Sequence, residues 1–167
     1  MEKIMWLVLG TTSLVAALQA DRSPRAMYVA RAALATLFIV FGALVNAIYL
    51  AVGTDDYVAF AAGSPFAFVR ETWQSVFIPN QTFFIILLIA AEATAGALII
   101  VGGRWMEAAL LALMAFHTGQ LLMSWFLWLW AIPMLMTFAL LLRAARRSRT
   151  DRLTVHAPPR RQDPMPA

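Results

Sequence analysis

Cysteine is absent from the 167 residues, and only 13% of them are charged, against roughly a quarter in a soluble domain. The first absence excludes disulfides, thiolate zinc sites, iron–sulfur ligation, thiol redox catalysis and covalent haem attachment by this chain's own residues. The second, with 62% hydrophobic residues and a mean hydropathy of +0.73, excludes a soluble globular class. No Walker loop, dinucleotide fingerprint, nucleophile elbow or HExxH motif occurs. There is no internal repeat of the kind that secondary transporters carry. Histidine is scarce too. His117 lies in an apolar run and His156 in the basic C-terminal stretch, so one subunit assembles neither a bis-histidine haem nor a three-ligand zinc site. No metal is expected, and no cofactor can be named from these residues.

What the sequence has in quantity is long apolar runs. They cover Ile4 to Ala20, Ala30 to Val52, Thr82 to Val101, and a 38-residue stretch from Trp105 to Leu142. One helix over that last stretch would reach about 57 Å, roughly twice the hydrocarbon core. It therefore reads as a tight hairpin, Trp105 to Ser124 and Phe126 to Leu142, turning near the tryptophans before Pro133. The expectation is an all-α, polytopic membrane helix bundle with five spans.

The net charge of +4 belongs to membrane topology rather than to a nucleic-acid-binding face, because the basic residues flank the apolar runs. With five spans and the N-terminus outside, Arg22, Arg25, Arg31, Arg104, Arg143, Arg146, Arg147, Arg149, Arg152, Arg160 and Arg161 fall inside, and only Lys3 and Arg70 outside. The first segment reads as a retained span. Its n-region, Met1-Glu2-Lys3, is weakly charged, and cleavage after Ala20 would place Arg22, Arg25 and Arg31 outside.

The outer loop, Gly53 to Gln81, carries Tyr57, Phe60, Phe66, Phe68, Trp73 and Phe77 and is expected to lie on the membrane. Ser64 fits an N-cap and Pro65 a first helical residue, with Phe66, Val69, Trp73 and Val76 at helical spacing before Pro79 breaks the pattern. The loop either closes the bundle or gates a lipophilic ligand. From Arg143 to Ala167, arginines and Pro158, Pro159, Pro164 and Pro166 with few aliphatic residues predict a basic disordered tail able to attract anionic lipid.

Glu92 stands in the middle of a span, within Ala90-Ala91-Glu92-Ala93-Thr94-Ala95-Gly96. An ionised acid at that depth costs at least ~2.5 kcal/mol on insertion scales, so it must face the bundle interior, find a partner or hold a proton. Counted along the helices from the Gly102-Gly103-Arg104 turn, Glu92 and His117 lie at about 15 and 18 Å, near enough in depth to pair across antiparallel neighbours. His117, Gln120 and Ser124 form a polar stripe at i, i+3 and i+7, and the second span has its own stripe of Gly42, Asn46, Tyr49 and Gly53. Glu92, His117, Gln120 and Asn46 are the candidate ligand or proton site. The alternative is that they are helix glue, with Ala91, Ala95 and Gly96 permitting close packing.

The run Arg31-Ala-Ala-Leu-Ala-Thr-Leu-Phe-Ile-Val-Phe-Gly42 and the run Glu92-Ala-Thr-Ala-Gly-Ala-Leu-Ile-Ile-Val-Gly-Gly103 resemble the DoxX-like family of small bacterial membrane proteins. The aromatic, proline-containing loop between them is also similar. The resemblance covers roughly Arg31 to Leu142. It implies a four-helix membrane core over residues 30–142, with the aromatic loop at 53–81. Residues 1–29 then add an N-terminal transmembrane helix and inner loop, and residues 143–167 the tail. The family further implies the bacterial cytoplasmic membrane and company with redox enzymes. The reading is an accessory subunit of a membrane redox or envelope complex, with a quinone-like pocket and a membrane or soluble oxidoreductase as partner. The rival reading is a small-solute or proton transporter that builds its path as a homo-oligomer. An enzyme proper would need an added cofactor or partner. The chain departs from the family in its extra first span and in Val45-Asn46, where relatives often place a lysine.

Overall fold

In the computed structural model, which describes residues 2–53 and 56–155, helix α1 spans Glu2–Ala17 and α2 spans Pro24–Val52. Ser23 ends the connection between them. Its hydroxyl accepts the Ala26 amide at 3.3 Å, and Pro24 supplies the fixed φ of a first helical residue, so α2 begins one turn and a half before the apolar run. Between Leu37 and Leu44 the winding of α2 widens to a π-helix before returning to α geometry over Val45–Val52. After a short helix, α3 at Ala59–Ala62, a continuous helical run, α4, covers Ala67–Val101. Then α5 covers Gly103–Gln120 and α6 covers Trp128–Val155.

The α4–α5 turn is as tight as the sequence predicts, and two glycines make it so. Gly102 and Gly103 have φ of +83° and +57°, a region in which a side chain is strained. Arg31 closes the turn from α2. Its Nε donates to Ile99 O at 3.1 Å and its Nη2 to Ile100 O at 2.7 Å, giving a cation to the carbonyl end of α4. A Cβ on Gly102 would lie 2.8 Å from the same guanidinium.

The turn at residues 18–23, the Gly102-Gly103 turn and the arginines of α6 gather at one end of the bundle. Asp21 takes Arg147 at 2.9 Å and Arg143 at 3.7 Å, while Glu107 takes Arg149 at 2.9 Å and Arg146 at 3.7 Å. These pairs correct the expectation of disorder from Arg143. The arginines sit at i, i+3 and i+4 positions and straddle two acids on other helices, so α6 continues as helix to Val155. The rest of the expected tail, 156–167, lies outside the described residues.

At the opposite end, the loop folds onto the α5–α6 turn. Ser124 Oγ donates to Phe60 O at 2.7 Å and accepts the Gly63 amide at 3.0 Å, and Ser64 Oγ donates to Leu122 O at 2.6 Å. Ser64 is thus not the helix cap. It accepts the Phe66 amide at 3.2 Å, and Phe66 occupies the cap position. Nor does Pro79 break the helix. A π segment at Trp73–Phe77 followed by a 3₁₀ turn at Ile78–Asn80 accommodates the residue that cannot donate, and the aromatic segment runs on into the apolar one.

Helices α1, α2, α4, α5 and α6 therefore run in alternating directions. Three helical stretches, Pro24–Val52, Ala67–Val101 and Trp125–Thr150, are long and apolar enough to cross a membrane, and the chain is a membrane-embedded, all-α protein. Helix α1 is shorter, with an apolar part of Ile4–Ala17. Leu34, Leu37, Ile99, Leu110, Phe138 and Leu141 form the shared core. Since lipid is as apolar as these side chains, close packing and interhelical hydrogen bonds hold the helices together. Gly96 shows how close: a Cβ there would stand 2.5 Å from Ile39 Cγ1 and 3.3 Å from Ala35 O. Gly10 makes the corresponding gap for the Trp130 ring, which also meets Trp6 at a centroid separation of 5.0 Å.

Candidate functional site

Glu92 projects from α4 toward the π segment of α2. Its carboxyl fills the space left by Gly42, where a Cβ would come within 2.8 Å of Glu92 Cδ. Only 7% of the residue is exposed. One π-to-α turn further along α2, Asn46 Nδ2 donates to Glu92 Oε2 at 2.9 Å, and Asn46 Oδ1 accepts the Tyr57 hydroxyl at 2.7 Å. Trp73 Nε1 in turn donates to Tyr57 O at 3.1 Å. A polar chain thus runs from the C-terminal third of α4, through the amide of α2, to the phenol of the loop that covers the bundle. Widened helical segments of this kind are frequent at functional sites, and this one places both Gly42 and Asn46 against the acid.

His117 does not join that chain. It is 1% exposed, its Nδ1 donates to Leu113 O at 2.9 Å, and its ring meets Phe138 edge-on at 5.0 Å and Phe38 at 6.1 Å. The predicted Glu92–His117 hydrogen bond is replaced by one to Asn46, because the histidine turns into an aromatic cage between α2 and α6. Both residues nonetheless pack on the same π segment, His117 at Phe38 and Glu92 at Gly42. Gln120 is the last residue of α5. Its Oε1 is buried with no hydrogen-bond partner among the described residues. Ser124 falls in the turn beyond the helix, so the polar stripe on α5 ends at Gln120.

Sequence reasoning missed Tyr57 as a site residue. It is one aromatic among several in the loop, and nothing in its spacing marks it as the hydroxyl that reaches Asn46. Gly42 was legible only as part of a stripe. No group of histidine and acidic residues fit for a metal ion occurs among the described residues.

Beside Trp73 lies an open groove of about 290 Å³, lined by Phe68, Val69, Trp73, Phe77, Phe84 and Met123 among others. Its floor is an aromatic ladder: Trp73 stacks on Phe77 at 3.8 Å and Phe77 on Phe84 at 5.3 Å. Apolar on its surface and joined by Trp73 to the loop that carries Tyr57, the groove gives the polar chain a lipid-side neighbour.

Fold and site together define an all-α membrane protein with a buried carboxyl–amide–phenol chain under an aromatic cover. Comparison with protein-family models, curated proteins and solved structures finds no match for this chain.

Proposed function

We propose that the protein is a non-catalytic, DoxX-like membrane subunit that binds a lipophilic ligand with a polar head, of the quinone class, in support of a redox or envelope complex. The observation that carries this reading is the Glu92–Asn46–Tyr57 chain inside an apolar bundle, with an aromatic groove beside it. The chemistry fits in two parts. With one Asn46 amide hydrogen held by Glu92, the second is a donor for a carbonyl oxygen of such a head, and the Phe77–Phe84 ladder offers a π-rich surface to an isoprenoid tail. Glu92 holds the Asn46 amide in orientation and supplies a carboxyl beside the head. The chain's own residues provide no electron carrier, so electrons are the business of the partner oxidoreductase.

The test is extraction. Protein purified from native membranes in mild detergent should yield quinone in near-stoichiometric amount, and Glu92→Gln protein should yield several-fold less while retaining its elution profile. Wild-type protein free of isoprenoid, with proton or solute flux after reconstitution into liposomes, would favour the oligomeric transporter instead.

The proposed orientation places the arginine-rich end in the cytoplasm of a bacterium and α1 starting outside. All four ion-paired arginines of α6 lie at that end, together with Arg22, Arg25 and Arg104, as the positive-inside rule requires. A reporter fused after Arg149 should show cytoplasmic activity. Periplasmic activity would overturn the orientation and the span count together.

A further inference from the structure

Among the described side chains at the arginine-rich end, two acids could neutralise a neighbour, and both are committed. Asp21 and Glu107 each hold two arginines of α6. Arg25, exposed on the first turn of α2, is left with no hydrogen bond or ion pair among the described residues. It stands at the mouth of an open cleft of about 480 Å³ between α1 and α2, lined by Thr12, Val15, Gln19, Ser23, Arg25 and Val29 among others. That volume falls in the range of ligand clefts, roughly 300 to 1,000 Å³. Along α1 the cleft reaches from Gln19 back to Thr11, about 12 Å at 1.5 Å per residue. Its walls change character along that length. Arg25, Ser23 and Gln19 are polar and lie at the membrane boundary, Val15, Ala16 and Val29 form an apolar stretch deeper in, and the hydroxyls of Thr11 and Thr12 stand at the far end.

We propose that this cleft binds one anionic glycerophospholipid, its phosphate on the Arg25 guanidinium and one acyl chain against Val15 and Val29. A guanidinium without a counter-charge among the described residues, leading into a cleft with an apolar stretch open to lipid, matches the two-part chemistry of such a molecule. A second copy of this chain does not match, since a two-fold contact here would bring Arg22 and Arg25 against their own counterparts. A soluble phosphate would meet Arg25 and leave the trough unused.

The experiment measures the thermal midpoint of purified full-length protein in detergent with added phosphatidylglycerol or phosphatidylcholine of the same acyl chains. Phosphatidylglycerol should raise the wild-type midpoint well above phosphatidylcholine, and inorganic phosphate should leave it unchanged. In Arg25→Gln the preference should vanish, with phosphatidylglycerol binding about fivefold weaker in a lipid titration. Arg104→Gln removes a charge from the same end but away from the cleft and should keep the preference. Val15→Trp fills the trough and should weaken both lipids while leaving Arg25 in place. Equal effects of the two lipids on the wild type, a preference that survives Arg25→Gln, or a phosphate effect as large as that of phosphatidylglycerol would each overturn the proposal. None of these readouts depends on Glu92, so the lipid site and the quinone-class site stand or fall separately.

Discussion

Glu92→Leu is expected to destabilise the bundle by about 1 to 3 kcal/mol, the cost of stranding a buried polar partner, while Glu92→Gln keeps a near wild-type thermal midpoint. The difference lies in Asn46. Its Nδ2 donates to Glu92 Oε2, and a glutamine carbonyl at the same place can accept that hydrogen bond, whereas a leucine cannot. Interhelical hydrogen bonds in membranes average less than this, about 0.6 kcal/mol with a maximum near 1.7, because separated helices find other partners. The larger value is favoured here, since Glu92 also fills the niche over Gly42 and a branched leucine side chain must be fitted against the same backbone. The Tyr57 hydroxyl depends on Asn46 as well, so the loop should loosen in Glu92→Leu and become more open to limited proteolysis between α2 and α4. Equal midpoints for Glu92→Leu and wild type would mean that the acid is not a structural partner.

Gly96→Leu should cost as much or more, by a different route. A Cβ alone would stand 2.5 Å from Ile39 Cγ1 and 3.3 Å from the Ala35 carbonyl. Ile39 has flexible atoms that can give way, but the Ala35 backbone cannot, so α2 and α4 must separate. Overpacking of this kind typically costs 1 to 3 kcal/mol, and here it also pulls Asn46 away from Glu92. Gly96→Ala should therefore lower the midpoint, and Gly96→Leu should prevent recovery of a monodisperse protein. A Gly96→Leu protein with an unchanged midpoint would show that α2 and α4 are not in close contact.

The parts of the fold that the sequence foretold are those governed by local pattern. The Gly102-Gly103 turn and the hairpin turn before Pro133 follow from run length and residue type. What escaped depends on pairs far apart in the chain or on unusual winding. Asp21 lies 126 residues from Arg147, and Glu107 lies 42 from Arg149, so the arginine cluster resembles a self-repelling tail until its acids are seen to fold beneath it. The partner of Glu92 escapes the sequence for another reason. Equal depth along α4 and α5 does not fix which way either side chain faces, and in the structure Glu92 turns to Gly42 and Asn46 on α2 while His117 settles against Phe38. Arg31 stands near the start of the apolar part of α2 and binds at the end of α4, at Ile99, Ile100 and Gly102. The two ends meet in one helix cap, a pairing of an arginine and a glycine that no local pattern foretells.

The proposed function requires a ligand head to meet the Glu92–Asn46–Tyr57 chain. Photolabelling with a quinone analogue that carries its reactive group on the ring tests this most directly, in native membranes and with the labelled peptides mapped. The predicted result is label concentrated on Tyr57 and on the stretch from Trp73 to Phe84, competed by excess unlabelled quinone and strongly reduced in Glu92→Gln. Label spread evenly over the lipid-facing residues of α1 and α6, indifferent to competition and to the substitution, would contradict it.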